Sequence, residues 1–237
     1  FRVLTAGHRT ALPRQRTLHA TLDCSYGLLS PGEQAVLRRL GVFAGAFALD
    51  AAEAVGGGAA DDGGGVIESL AGLCDKSLVA ADPGDGEMRY RLLETTRAYA
   101  LERLAEAGET AAAMRRHALF YRRHFAACFD DWTRLSDADF RRRHAREIDQ
   151  LRSAAAWALG PEGDGETAMA LVGSSVQAWL SLSLYAEADV LAEQALYRVA
   201  AEVASQPEAV LIYSDEDKID EGQQRFDPYH KPDWNYQ

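Results

Sequence analysis

Apolar residues recur at helical spacing through most of the first 200 positions, and the pattern changes character after Ala204. Leu18, Leu22, Tyr26 and Leu29 fall three or four apart, which predicts a helix over 17–29. A sharper helix start follows. Ser30 stands at an N-cap position, Pro31 at the first helical position, and Glu33 completes a capping box. The helix they open presents Val36, Leu37, Leu40 and Phe43 on one side. A shorter helix runs from Asp50 to Gly56-Gly57-Gly58, and a third over 66–75 turns Ile67, Leu70 and Leu73 inward. Two short strands, Leu78–Ala81 and Met88–Leu92, flank the turn Asp82-Pro83-Gly84-Asp85-Gly86. Three helices and then a hairpin is the order of a winged helix.

From Glu94 the pattern is helical almost throughout. Helices are expected over 94–107 (ending at Gly108, a C-cap), 111–129, 137–159, 166–184 and 186–204. Tyr185-Ala186-Glu187-Ala188 followed by Gln194-Ala195-Leu196 fits the small-residue spacing of a tetratricopeptide-type pair, which buries its apolar face by stacking on neighbours. Beyond it, Ala209-Val210-Leu211-Ile212-Tyr213 reads as a buried strand running into the carboxylates Asp215, Glu216, Asp217 and Asp220. The fold class expected is therefore mainly α: a winged helix, then antiparallel helical, tetratricopeptide-like repeats, then a short α/β tail.

Charge sharpens the division. The 237 residues carry a net charge of −11; residues 201–237 hold nine acids against three bases, so more than half of the excess sits in the tail. A globally acidic chain lacks the many phosphate-facing bases of non-specific nucleic-acid binders, and direct nucleic-acid binding is not expected on this ground. The basic runs, Arg9 to Arg16 and Arg141-Arg142-Arg143-His144 with Arg146, read as solvated helix faces. No apolar run reaches the roughly 18 residues that cross a bilayer. The odd, widely spaced Cys24, Cys74 and Cys128 read as buried free thiols in a reducing, cytoplasmic compartment.

Candidate chemistry is sparse. The glycine-rich stretch Ala59–Gly65 is a loop and not a phosphate cradle, because no Lys-Ser/Thr pair follows it. His117 and His124 share a helix face without a carboxylate or Cys to complete a metal set, and Ser25 and Ser77 have no His/Asp arrangement to activate them. Trp132, Trp157, Trp179 and Tyr185 are expected to fill the helical core. No catalytic residues are assigned.

Two resemblances add to this. Leu12-Pro13-Arg14-Gln15-Arg16-Thr17-Leu18-His19-Ala20-Thr21-Leu22-Asp23, with Leu73-Cys74-Asp75-Lys76-Ser77-Leu78-Val79, Tyr90-Arg91-Leu92-Leu93-Glu94-Thr95-Thr96-Arg97-Ala98-Tyr99-Ala100 and Glu147-Ile148-Asp149-Gln150-Leu151-Arg152, resembles the STAND-class predicted ATPases of actinobacterial LuxR-type and SARP-type transcriptional regulators. The resemblance covers about residues 1–184. It implies a P-loop ATPase domain, with ATP and Mg²⁺, ahead of a chain that starts at Phe1 without an initiator Met. It further implies a winged helix acting as an intramolecular lever on that domain, and helical repeats that sense a protein partner or small ligand. No Gly-x-x-x-x-Gly-Lys-Ser/Thr motif is present, so no nucleotide-binding residue is carried over.

The tail is similar to a family 2 glycosyltransferase of the GT-A fold. The similarity rests on Leu211-Ile212-Tyr213-Ser214-Asp215-Glu216-Asp217-Lys218-Ile219-Asp220, Arg225-Phe226-Asp227-Pro228-Tyr229 and Lys231-Pro232-Asp233-Trp234-Asn235. It implies a sugar nucleotide and a divalent metal held by carboxylates, with Asp215 and Asp217 the candidate ligands. Glu187-Ala188-Asp189 stands where that family's metal pair would lie, so the set is incomplete, and a chimeric or frameshifted product without activity is the alternative reading. The organisation expected is 1–16 as the end of an ATPase domain or linker, 17–93 winged helix, 94–190 helical repeats and 191–237 a partial glycosyltransferase-like segment.

Overall fold

The computed structural model describes residues 13–58, 64–83, 87–205, 216–219 and 225–229. Two compact units are present, Phe1–Arg198 and Val199–Gln237.

In the first unit, α1 (Pro13–Gly27) precedes α2 (Pro31–Leu40), α3 (Leu49–Gly56) and α4 (Gly64–Asp75), and then the strands β1 (Ala80–Asp82) and β2 (Arg89–Arg91). The predicted capping box is formed: Glu33 N–H donates to Ser30 Oγ at 3.3 Å, and Ser30 N–H donates to the Glu33 carboxylate at 2.8 Å. β1 and β2 pair antiparallel with Ala81 opposite Tyr90. Phe47 adds a third, one-residue edge through reciprocal backbone bonds with Tyr90 (2.9 and 2.8 Å). Three helices with a small wing match the order read from the sequence. Residues 59–63 of the expected loop and 84–86 of the expected turn lie outside the described residues.

The core of this part joins Val36, Leu37, Leu40, Phe43, Phe47, Val55, Leu70 and Leu73. One expected core position fails. Ile67 is exposed and Val66 is buried in its place, so the inward stripe of α4 runs Val66, Leu70, Leu73 at spacings of four and three.

α5 (Glu94–Glu106) ends at Gly108, whose φ of +69° is the left-handed conformation that glycine adopts without a Cβ clash. A helical bundle follows: α6 (Thr110–Ala126), α7 (Cys128–Arg134), α8 (Asp137–His144), a 3₁₀ turn (Ala145–Glu147), α9 (Ile148–Leu159), α10 (Gly165–Ser174), α11 (Val176–Ser181) and α12 (Tyr185–Ser205). α6, α9 and α10 pack on one another. Three helices predicted as continuous are thus divided. The break at Ser175 has a local cause: its hydroxyl donates to Leu171 O at 2.6 Å and accepts from Trp179 Nε1 at 3.0 Å, back-bonding that competes with the helix ladder. The break at Ala145–Glu147 swings Glu147 inward to meet the wing.

Trp179 is buried and Trp157 packs against the core, whereas Trp132 and Tyr185 are exposed, contrary to expectation. Burial of all three thiols is corrected likewise: Cys128 is buried and its thiol pushed up to about 11 by desolvation, Cys74 is half-buried, and Cys24 is exposed. In the second unit, β3 (Glu216–Ile219) pairs antiparallel with β4 (Arg225–Tyr229). The expected strand over 209–213 falls outside the described residues. No helix among the described residues is long and apolar enough to cross a membrane.

Candidate functional site between the wing and the helical bundle

The helix periodicity of α9 places Gln150 on the same face as Leu151, Ala154 and Ala158, all buried. A polar side chain there must find partners inside, since an unpaired buried amide costs about 1–3 kcal/mol. Gln150 finds them in the segment between α2 and α3. Its Oε1 accepts from Ala44 N–H at 3.1 Å and from His117 Nε2 at 3.0 Å, and its Nε2 donates to Ala46 O at 3.2 Å. The backbone donor and acceptor fix which way the amide points, and this in turn requires His117 to carry its proton on Nε2. Burial holds His117 down at about 4, so the ring is neutral near pH 7.

A second polar bridge lies beside the first. Arg89 of the wing is buried and forms a salt bridge with Glu147, also buried, while its Nη2 donates to Ala46 O at 3.3 Å. Tyr121 Oη donates to the same Glu147 carboxylate at 3.2 Å. Burial, reinforced by that charge, drives the Tyr121 hydroxyl far above its ordinary titration range. Arg97 Nε donates to Phe43 O at 2.6 Å. The segment from Phe43 to Phe47 is therefore held by side chains of α5, α9 and the wing more than by its own secondary structure.

Beside the Arg89–Glu147–Tyr121 bridge opens a cavity of about 460 Å³. The start of α3 (Ala48, Asp50), the wing (Glu87, Arg89), α6 (Phe120, Tyr121, His124) and the α8 region (Arg142, Arg143, Arg146) form its walls. The arginine run that the sequence suggests is a solvated face thus lines a concavity on one side. His117 and His124 do not share a site: His117 is tied to Gln150, while His124 packs its ring among Phe120, Tyr121, Phe125 and His144. Of the metal candidates, Asp215 lies outside the described residues and Asp217 sits on β3. Among the described residues no cluster of three or more His, Cys, Asp or Glu could hold a metal.

Comparison with known proteins gives this geometry a family context. The family model for the winged helix-turn-helix domain matches residues 29–105, the stretch from the end of α1 to the end of α5. Residues 29–105 are a winged helix-turn-helix domain. Predicted HTH-type transcriptional regulators of Mycobacterium tuberculosis and Mycobacterium bovis are each 38% identical to the chain over 218 residues, covering 89% of this chain and 24% of theirs. An uncharacterized protein of Mycobacterium tuberculosis is 42% identical over 125 residues, 52% of this chain and 31% of that protein. No solved structure matches the chain. The likeness to the regulators extends well beyond the winged helix-turn-helix domain into the helical bundle, and the chain spans about a quarter of their length.

One expectation is overturned here. The globally acidic charge argues against nucleic-acid contact, but the domain match and the HTH-type regulators that align with most of this chain point toward it. Net charge fails as a guide because it sums over the whole chain, whereas a winged helix touches nucleic acid through a small patch. The bridging residues Arg89, Gln150 and Glu147 also escape sequence reasoning as functional positions. Gln150 carries the one readable signal, a polar residue on an apolar helical stripe.

Proposed function

We propose that this chain is the winged helix-turn-helix domain and adjoining helical bundle of a longer transcriptional regulator, and that the winged helix contacts nucleic acid while the bundle sets its placement. The observation that carries this reading is the domain match over 29–105, joined to the bundle through two buried polar bridges. In this reading α1 is the connection to a nucleotide-binding domain. Its seat on α5, with Tyr99 Oη donating to Asp23 at 2.8 Å and His19 bonded to Glu102 at 3.0 Å, supports a path from such a domain into the winged helix.

The electrostatics set the expected strength. The exposed positions of α4 include Ile67, Glu68, Ala71 and Asp75, none of them basic. Lys76, just past α4 and paired with Glu33, and Arg91, on the wing, are nearby exposed cations, and Lys76 must exchange Glu33 for a phosphate. About two phosphate contacts give a slope of log affinity against log salt near −1.8. The test is fluorescence anisotropy of the 237-residue chain with duplex DNA between 50 and 200 mM salt, to be repeated with Lys76→Ala and Arg91→Ala. Each substitution is expected to lower the slope by about 0.9. Absence of binding at the lowest salt, or binding indifferent to both substitutions, rejects nucleic-acid contact by this face.

A further inference from the structure

The cavity between the wing and the bundle is built for an occupant that neither the domain match nor the nucleic-acid reading requires. Its volume, about 460 Å³, lies within the range of small-molecule sites. Its lining joins three guanidinium groups from the α8 region, Arg142, Arg143 and Arg146, to a wall of aromatic rings from α6.

Four carboxylates also line the cavity, so the balance of charges alone does not name a ligand. Their lone pairs do. Glu147 accepts from Arg89 and Tyr121, Asp139 from Ser136 Oγ and Arg142, and Asp50 from Ala51 N–H at 2.7 Å. Glu87 stands at the exposed rim, 3.8 Å from Arg89. Glu147 and Asp139 are thus engaged by side-chain donors of the protein itself. The arginines are less fully used. Arg142 reaches Asp139 through one terminal nitrogen and Arg143 reaches Asp131 through Nε at 3.2 Å, and both side chains are more than half exposed. A guanidinium has five N–H donors in a planar fork, so each retains donors suited to a two-oxygen anion.

Two further features agree. The N-cap of α3, Ala48, makes no side-chain cap, and the positive end of that helix dipole lies at the cavity wall. His124 keeps a buried Nε2 with no protein partner, on the same wall as Phe120 and Tyr121.

We infer that this cavity binds a small organic anion, its carboxylate or phosphate held by Arg142 and Arg143 and its planar body lying against Phe120, Tyr121 and His124. The wing contributes Glu87 and Arg89 to the lining of the same cavity. The site stands independently of nucleic-acid contact.

The test uses the 237-residue chain and three probes in calorimetric titration: benzoate for an aromatic carboxylate, adenosine monophosphate for a phosphate on a planar body, and inorganic phosphate for the bare anion. Benzoate or adenosine monophosphate is expected to bind at least tenfold tighter than inorganic phosphate, and which of the two binds identifies the source of the anion. The double substitution Arg142→Gln, Arg143→Gln should weaken that binding at least tenfold. Ala48→Phe, which places a ring in the cavity mouth, should abolish it with the fold retained by circular dichroism. A response from neither organic probe, binding within twofold of wild type in the arginine variant, or capture of duplex DNA alone through Arg142 and Arg143 would each overturn the assignment.

Discussion

Replacing Gln150 with Leu tests whether the bridge from α9 to the segment before α3 holds the two parts together. Leu has nearly the volume of Gln and suits a buried face, so a dispensable amide would make the exchange neutral or stabilising, as replacing buried polar groups by packed apolar ones often is. The contacts around this residue predict otherwise. Ala44 is exposed and its N–H can turn to water, and Ala46 O keeps the Arg89 guanidinium. His117 is left worst placed, since its ring is buried and its Nε2–H has Gln150 as its hydrogen-bond acceptor. One buried unpaired donor at about 1–3 kcal/mol, with about 1 kcal/mol for the other bonds, puts the loss at about 2–4 kcal/mol. Urea denaturation reads this directly: the midpoint should fall by about 1–2 M at unchanged slope. Adding His117→Phe, which removes the stranded donor, should recover part of the loss, a non-additivity expected only of residues in one network. A midpoint within about 0.3 M of the wild type, or simple additivity in the double variant, refutes the bridge as a stabilising element.

Two further outcomes follow from the same structure. His117 is held at about 4 when folded against 6.5 when free, so as pH falls below 6.5 the unfolded chain takes up a proton that the folded chain refuses, and stability declines until about pH 4. The His117 share is about 2 kcal/mol between pH 7 and 5; His124 and His144 are shifted the same way by burial. Urea midpoints at the two pH values should therefore converge partly, not wholly, in His117→Gln, and an unchanged pH dependence would remove His117 from the account. Ser77 adopts φ +58°, a left-handed conformation costly for any residue with a Cβ, so Ser77→Gly should raise stability by about 0.5 kcal/mol, the relief of strain less the added freedom of the unfolded chain. A lower melting temperature would contradict that.

The elements whose signals are local are those the sequence announces. Ser30, Pro31 and Glu33 mark the start of α2 because a cap is made within four residues, and Gly108 marks the end of α5 because its backbone needs a glycine. The wing reads from two short β-prone runs with a turn between them. What stays hidden depends on distant partners. Nothing near Glu147 in the chain says that the helix expected over 137–159 must break to bring it to Arg89. Ile67 looks like a core residue because its neighbours are apolar, and only the placement of Val66 against Gly56 shows which way α4 is rotated. The cavity is less legible still. Its walls come from residues 48 to 147, and Arg142 and Arg143 read as an exposed run until α6 and the wing are set beside them.

The loop from Phe43 to Phe47 has a consequence for the order in which the molecule assembles. Its polar backbone atoms are answered by residues as far as 106 positions along the chain, Ala44 by Gln150 being the longest reach. Closing so wide a loop costs entropy before any bond forms, and contacts of this span are made late in folding. The three helices and wing can thus gather early, with Phe43, Ala46 and Phe47 already held by Arg97, Arg89 and Tyr90, while Ala44 gains its partner only when α9 arrives. A ribosome that has released residues 29–105 and not yet Gln150 would hold a winged helix whose central loop has its partners on the wing and α5 but leaves Ala44 N–H unanswered by protein, so the boundaries that define the domain by family do not coincide with those that complete it as a folding unit.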